Sequence, residues 1–185
     1  MVKGILLGLG KPHSMKILAL DISGTATGWA FGYDGRLEGY GKYIVTAKDI
    51  KGKKLYDFSV FIKDLILDKQ PDIILIEKPY LGRNSKVLVN ISKFIAVVQI
   101  VAYDVLKMDL PDDWFLDPKR IKRLVKVKKG NSHEENKKNM VVRVNNLYGL
   151  RLKYKKGKNK QYCDDDISDA IAVLTAWWRL EGANE

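Results

Sequence analysis

Two short runs of consecutive apolar residues, KILALDI at Lys16–Ile22 and DIILIE at Asp72–Glu77, constrain this chain most. Each is apolar at successive positions, so both of its sides need covering, and each is too short for a helix. Strands covered on both faces belong to a sheet held between helical layers, and parallel neighbours in such a sheet need a crossover connection. Between the two runs, Thr27–Tyr33 and Leu37–Val45 read as strands joined at Asp34-Gly35, a two-residue hairpin turn. The chain therefore opens as a three-stranded meander. From Leu55 the apolar positions Leu55, Phe58, Ile62, Leu65 and Ile66 recur at spacings of three and four, which predicts an amphipathic helix stopping before Pro71. The DIILIE strand follows and Pro79 ends it.

Ser85–Lys107 predicts a long helix, roughly 34 Å at 1.5 Å per residue. Its main apolar face carries Val87, Leu88, Ile91, Ile95, Val98, Val101, Ala102 and Val105, but Val89, Ala96, Val97 and Ile100 lie off that face. One sheet layer cannot cover both sets. Trp114–Leu116 reads as a short strand, and Asp117-Pro118 as a cap with proline at the first position of a basic helix. Ser132 and Glu135 form a capping box that opens a helix to about Tyr148. Lys153–Lys160 reads as a mobile loop, and Asp164–Leu180 as a closing helix with Ile167, Ile171, Leu174 and Trp178 on its apolar face. The pattern is an α/β fold with a mixed five-stranded sheet flanked by helices. With 185 residues, one domain is expected.

Composition excludes several function classes. The longest uncharged apolar stretch, Phe94–Tyr103, is far shorter than the roughly 20 residues a spanning helix needs, so no membrane association is expected. Residues 1–14 lack a full secretory h-region and read as an extension or a leftover tag, leaving a single domain at 15–185 and a cytoplasmic location. A lone cysteine, Cys163, and two histidines, His13 and His133, cannot build a disulfide framework or a zinc shell, and all three read as incidental. The net charge of +11 is concentrated: Lys119–Lys160 carries a local charge of +14, and the rest of the chain is slightly acidic at −3. Such a segment is either the footprint of a phosphate-backbone binder or a solvated lysine-rich face.

Four acids stand where acids are costly. Asp21 and Glu77 each end an apolar strand, and open α/β sheets present their chemistry at strand ends. Asp166 and Asp169, three apart, share one face at the start of the closing helix, where Asp165 adds further charge. Clustered carboxylates repel one another unless a cation intervenes. Oxygen donors without nearby histidine or cysteine suit Mg2+ or Mn2+, and two ions roughly 4 Å apart can activate water and stabilise the leaving oxygen of a phosphodiester. Read separately, Asp166 and Asp169 are ordinary acids at a helix start, and Asp21 and Glu77 are strand-end caps. Their coincidence with a +14 segment is what points to phosphate chemistry.

KILALDISGTATGWA, IILIEKPY, DPKRIKRLVK and DDDISDAIAVLTAW, in that order, resemble the RuvC family of Holliday-junction resolvases in its phage-like branch, within the ribonuclease H-like superfamily. The resemblance runs from Met15 to about Arg179. It implies a magnesium-dependent endonuclease acting on four-way DNA junctions in recombination, replication or phage DNA packaging, working as a homodimer through the 85–107 helix, inside a bacterial cell. It implies that Asp21, Glu77, Asp166 and Asp169 are the catalytic metal ligands, with Asp165 the rival for the third position. It places Tyr80, three residues after Glu77, as the base-stacking aromatic, and Lys122 as the lysine of the basic helix. The family's second lysine has no clear counterpart, because Glu134 and Glu135 occupy the start of the following helix; Lys126, Lys128 and Lys129 are candidates to replace it. Arg83, Lys119 and Arg123 complete the candidate DNA contacts.

Three other readings compete. A ribonuclease H-like RNA-processing enzyme shares the first-strand motif but usually lacks the long basic insertion. An actin-like or sugar-kinase ATPase resembles Asp21–Gly28, yet needs two such domains around its nucleotide. A non-catalytic DNA-binding module would not require Asp21 or Glu77.

Overall fold

In β1 (Lys16–Ile22), Ile17 and Ala19 enter one hydrophobic core while Leu18, Leu20 and Ile22 enter another. β4 (Ile73–Glu77) divides the same way, Ile73 and Leu75 against Ile74 and Ile76. Both strands are therefore covered on both faces, as their unbroken apolar character demands. The computed structural model describes residues 14–45, 51–79, 85–155 and 163–182.

The sheet has the order β3-β2-β1-β4-β5. β2 (Ala26–Tyr33) runs antiparallel to β1, with Asp21 opposite Gly28, and β3 (Arg36–Ile44) runs antiparallel to β2, with Gly28 opposite Lys42. The β2–β3 turn has Asp34 and Gly35 at φ of 50° and 75°, the left-handed pair a two-residue hairpin requires. β4 pairs parallel with β1 from Ile17–Ile73 to Leu20–Ile76, and β5 (Phe115–Leu116) pairs parallel with β4. Trp114 belongs to a short 3-10 turn, Asp112–Trp114, rather than to the strand that its sequence suggested.

One face of the sheet carries α1 (Lys51–Lys69) and α2 (Ser85–Leu106); the other carries α3 (Pro118–Val125), α4 (His133–Tyr148) and α5 (Asp165–Leu180). α1 begins four residues before the apolar periodicity does, with a first turn of polar sequence. α5 lies across the sheet and is buried almost all round, so its apolar character extends beyond the single stripe expected. α2 is anchored by Phe94, Val98, Val101 and Ala102. Val87, expected on its core face, is 51% exposed. By length and composition α2 could cross a membrane, a property missed when only its uncharged stretch is counted.

The caps follow the sequence with one change. Asp117 accepts from the backbone N–H groups of Lys119 and Arg120 ahead of Pro118. Ser132 Oγ accepts from Glu135 N at 3.0 Å, but the Glu135 carboxylate accepts from Asn131 N at 2.6 Å rather than from Ser132, so the capping box is offset by one residue. Of the loop expected at 153–160, only Lys153 to Lys155 fall among the described residues, and Lys153 N is fixed by Asp164 at 2.9 Å. Residues 1–13 lie outside the described residues.

Candidate active site

Strand parity brings the first two acids together. Asp21 continues the Ile17–Ala19 side of β1, and Glu77 continues the Ile73–Leu75 side of β4. Each stands one position beyond the paired residues Leu20 and Ile76, at the carboxyl ends of adjacent parallel strands. Neighbouring strands lie about 4.8 Å apart, so the two carboxylates face one space from the sheet side.

The other pair depends on how α5 meets the sheet. A Cβ on Gly28 would lie 1.8 Å from the Asp166 carbonyl oxygen and 2.9 Å from Ile167 N. Only glycine lets the first turn of α5 settle onto β2, in the row shared by Asp21 and Lys42. Lys42 Nζ then fastens the segment entering the helix, donating to the Cys163 carbonyl at 2.8 Å and to Asp164 Oδ1 at 3.2 Å. Asp166 and Asp169, one helical face apart from Asp165, complete the set.

Asp21, Glu77, Asp166 and Asp169 all line one cavity of about 280 Å³. Lys122 of α3 and His133, Asn136 and Lys137 of α4 line its other side. Burial is the first cause of the raised carboxyl pKa values here, and mutual repulsion follows. Asp21 is pushed well above the ordinary range by burial, then by Glu77, Asp169 and Asp166. Glu77 is pushed up to about 8 by burial and Asp169, against the opposing pull of Lys122 and Lys137. Asp169 is pushed up to about 6 by burial, partly offset by Lys137.

The donor set is oxygen-only carboxylate with a surplus of negative charge, which suits a hard divalent cation. Among the described residues no three His, Cys, Asp or Glu side chains are already gathered as a coordination shell. The match to a metal is therefore one of charge and donor type. Asp21, Glu77, Asp166 and Asp169 are the residues that could hold it.

Asp165 does not line this cavity; it is buried and ion-paired with Lys137. Lys137 was missed from the sequence, although it stands three and four residues before the buried Met140 and Val141, and so on the inward face of α4. Its ammonium group is held protonated: burial opposes this, but the hydrogen bond to Asp165 and the surrounding carboxylates outweigh it. His133 also lines the cavity. Of the basic candidates, Lys122 lines the cavity, while Lys119, Arg123, Lys126, Lys128 and Lys129 are exposed and do not line it. Tyr80 and Arg83 lie outside the described residues.

No protein-family profile matches the chain, and no curated protein matches it in sequence. Solved structures do match in fold. RuvC of Thermus thermophilus in complex with a Holliday-junction substrate aligns at 12% identity and a TM-score of 0.69, over 91% of this chain and 98% of that one. The same organism's RuvC structure aligns at 13% identity and 0.64, with the same coverage. The yeast mitochondrial Holliday junction resolvase Ydc2 aligns at 15% and 0.60, over 92% of this chain and 80% of its own. The chain thus has the fold of RuvC over about nine tenths of its length.

Proposed function

We propose that this chain is a divalent-metal-dependent endonuclease that cuts branched DNA, a Holliday-junction resolvase acting as a homodimer. The observation that carries the reading is the convergence of Asp21, Glu77, Asp166 and Asp169 on one cavity at the strand ends of a RuvC fold. Fold alone would not suffice, since one fold hosts many activities.

Asp21, Glu77, Asp166 and Asp169 would hold Mg2+ or Mn2+, two ions per site. When bound, the ions activate the attacking water and stabilise the departing oxygen. The protein's own contribution is positional. Lys137, clamped by Asp165, sets a fixed positive charge on the wall facing the carboxylates, suited to a phosphate oxygen. Lys122 places a second one, on a helix that continues into the basic surface of Arg123, Lys126, Lys128 and Lys129, which would follow the DNA backbone. By the sequence resemblance, Tyr80 would stack on a base and Arg83 would contact the DNA.

The homodimer accounts for α2. Val89, Ile100 and Tyr103 are each more than half exposed on a helix with few charges, a surface that a second copy would cover. A two-fold dimer would also match the symmetry of a four-way junction and cut it in pairs.

Purified protein incubated with four-way, three-way and linear DNA, with and without Mg2+, tests the proposal. Paired nicks confined to the branched substrates and dependent on the metal are expected. Absence of cleavage on every DNA, or preferential cleavage of RNA, would reject it.

A further inference from the structure

Gly149, at a φ of 67°, ends α4 and turns the chain into residues 150–155, LRLKYK. Leu150, Leu152 and Tyr154 are half-buried, the two leucines against the core on the α3–α4–α5 side, whereas Arg151, Lys153 and Lys155 are exposed. This alternation is that of extended backbone, so the three cations share one side at intervals of about 6.6 Å. That is close to the separation of successive phosphates along a nucleic-acid strand, and the segment contains no acid. Its backbone is held at two residues by bonds that leave those side chains outside. Asn145 accepts from Leu152 N and donates to Leu152 O, each at 2.9 Å. Asp164 N donates to Lys153 O at 2.8 Å, and Asp164 Oδ2 accepts from Lys153 N at 2.9 Å.

These bonds also fix where the cations stand. Asp164 immediately precedes α5, so Lys153 is joined to the turn that carries Asp165 and Asp166. Burial first, and then Glu134, raises the Tyr154 hydroxyl above its ordinary pKa, which sets the segment beside the start of α4. Lys42, which holds the other oxygen of Asp164, belongs to β3 at one edge of the sheet; α3, with Lys122 and Arg123, follows directly from β5 at the other edge. Asp21 and Glu77, on β1 and β4, stand between them. The carboxylates therefore have basic surface on two sides. Both surfaces belong to the α3–α4–α5 layer, so neither meets the face of α2 that a second copy would cover.

We propose that Arg151, Lys153 and Lys155 bind the DNA backbone on the opposite side of the cut from Lys122 and Arg123, each taking one phosphate. This rests on the nuclease reading of the cavity and adds a second backbone track to it. Contacts of this kind carry no base preference; they set the register of the strand. Because Lys153 is fastened to Asp164, a strand seated on the track is held at a fixed distance from the α5 turn and its carboxylates. Contacts on both flanks keep the scissile phosphate in place against acids that by themselves repel it.

The test compares wild-type protein, the triple variant Arg151→Ala/Lys153→Ala/Lys155→Ala, its charge-keeping counterpart Arg151→Lys/Lys153→Arg/Lys155→Arg, and Lys122→Ala/Arg123→Ala. Binding to a four-way DNA junction is measured in EDTA across a salt series, and phosphate-ethylation interference locates the contacts relative to the wild-type cut in Mg2+. Each lost phosphate contact lowers the slope of log K against log salt by about 0.9, so the triple alanine variant should lose about two to three units of slope and the charge-keeping variant none. Alanine keeps the backbone bonds to Asn145 and Asp164, so the thermal unfolding of the triple variant should match the wild type's. Its interference should vanish on one side of the cut, and that of Lys122→Ala/Arg123→Ala on the other. An unchanged slope in the triple variant, with a reduced one in Lys122→Ala/Arg123→Ala, would overturn the track and leave the nuclease reading standing. Interference lost on the same side by both variants, or a slope lost equally by the charge-keeping variant, would overturn it too. Wild-type protein that binds but cleaves no DNA would instead reject the nuclease reading.

Discussion

Glu77 ends β4 with its carboxyl pushed up to about 8, first by burial and then by Asp169, so without a cation it holds a proton that the unfolded chain would release. The sign of the resulting pH dependence follows from linkage. A group whose folded pKa is raised binds more protons in the native state, so its contribution to stability is complete below about 4.5 and is lost as the pH rises through about 8. Glu77→Gln, which mimics the protonated form, should therefore leave the Tm nearly unchanged at pH 5 in EDTA and raise it at pH 8.5, by about 2–4 °C for each kcal/mol relieved. Mg2+ should stabilise the wild type at pH 8.5 and the variant much less. Equal effects of the substitution at both pH values, followed by calorimetry, would mean that Glu77 is not under this strain. The same cavity predicts the order of activity loss. Asp21→Asn, Glu77→Gln, Asp166→Asn and Asp169→Asn should abolish cleavage while junction binding persists or tightens. Asp165→Asn should only reduce it, because Asp165 acts through Lys137 rather than from the cavity wall. Nicking assays that rank Asp165→Asn below Asp166→Asn in activity would exchange the two roles.

At the scale of elements, the site depends on where α5 starts. The Asp166 carbonyl occupies the space that a Cβ on Gly28 would need, and both atoms are backbone-bound, so neither can turn aside. Gly28→Ala should destabilise the fold by at least about 1–3 kcal/mol in urea unfolding and lower cleavage by more than the unfolded fraction explains, since the lifted helix carries Asp166 and Asp169 with it. A variant as active as wild type would show that the helix start is free to shift. α3 makes a different contribution: its solvent-facing cations lead up to Lys122 at the cavity. Lys122→Ala/Arg123→Ala should flatten the salt dependence of junction binding by about one unit per lost phosphate contact. A slope equal to the wild type's would reduce this helix to a solvated face. α1 and β5 show how local patterns blur at element ends, where a polar first turn or a tryptophan in a 3-10 turn carries no periodic signal.

For the whole molecule, α2 sets the question of what covers it. Val97 packs partly against the α1 side, so the second apolar face is narrower than its sequence suggests and is borne by Val89, Ile100 and Tyr103. The wild type should sediment as a dimer in detergent-free buffer. Ile100→Asp with Tyr103→Asp should give a folded monomer, because neither side chain belongs to the domain core, and that monomer should lose paired cleavage. A monomeric wild type, or a wild type soluble only with detergent, would assign this face to something other than a second copy.

Much of the architecture is legible along the chain because it is written in local periodicity. Unbroken apolar runs make KILALDI and IILIE buried strands, Asp34-Gly35 makes the hairpin, and parity alone turns Asp21 and Glu77 to the same side of the sheet. Asp166 and Asp169 follow from helical spacing. What periodicity cannot supply is how elements distant in sequence meet. The approach of α5 to Gly28 and the seating of Lys137 against Asp165 each involve partners from separate elements. The sequence determined which residues each element turns inward; only the packing of helices on both faces of the sheet decided which of those residues share a cavity, because that depends on side-chain volumes and close backbone approach across layers.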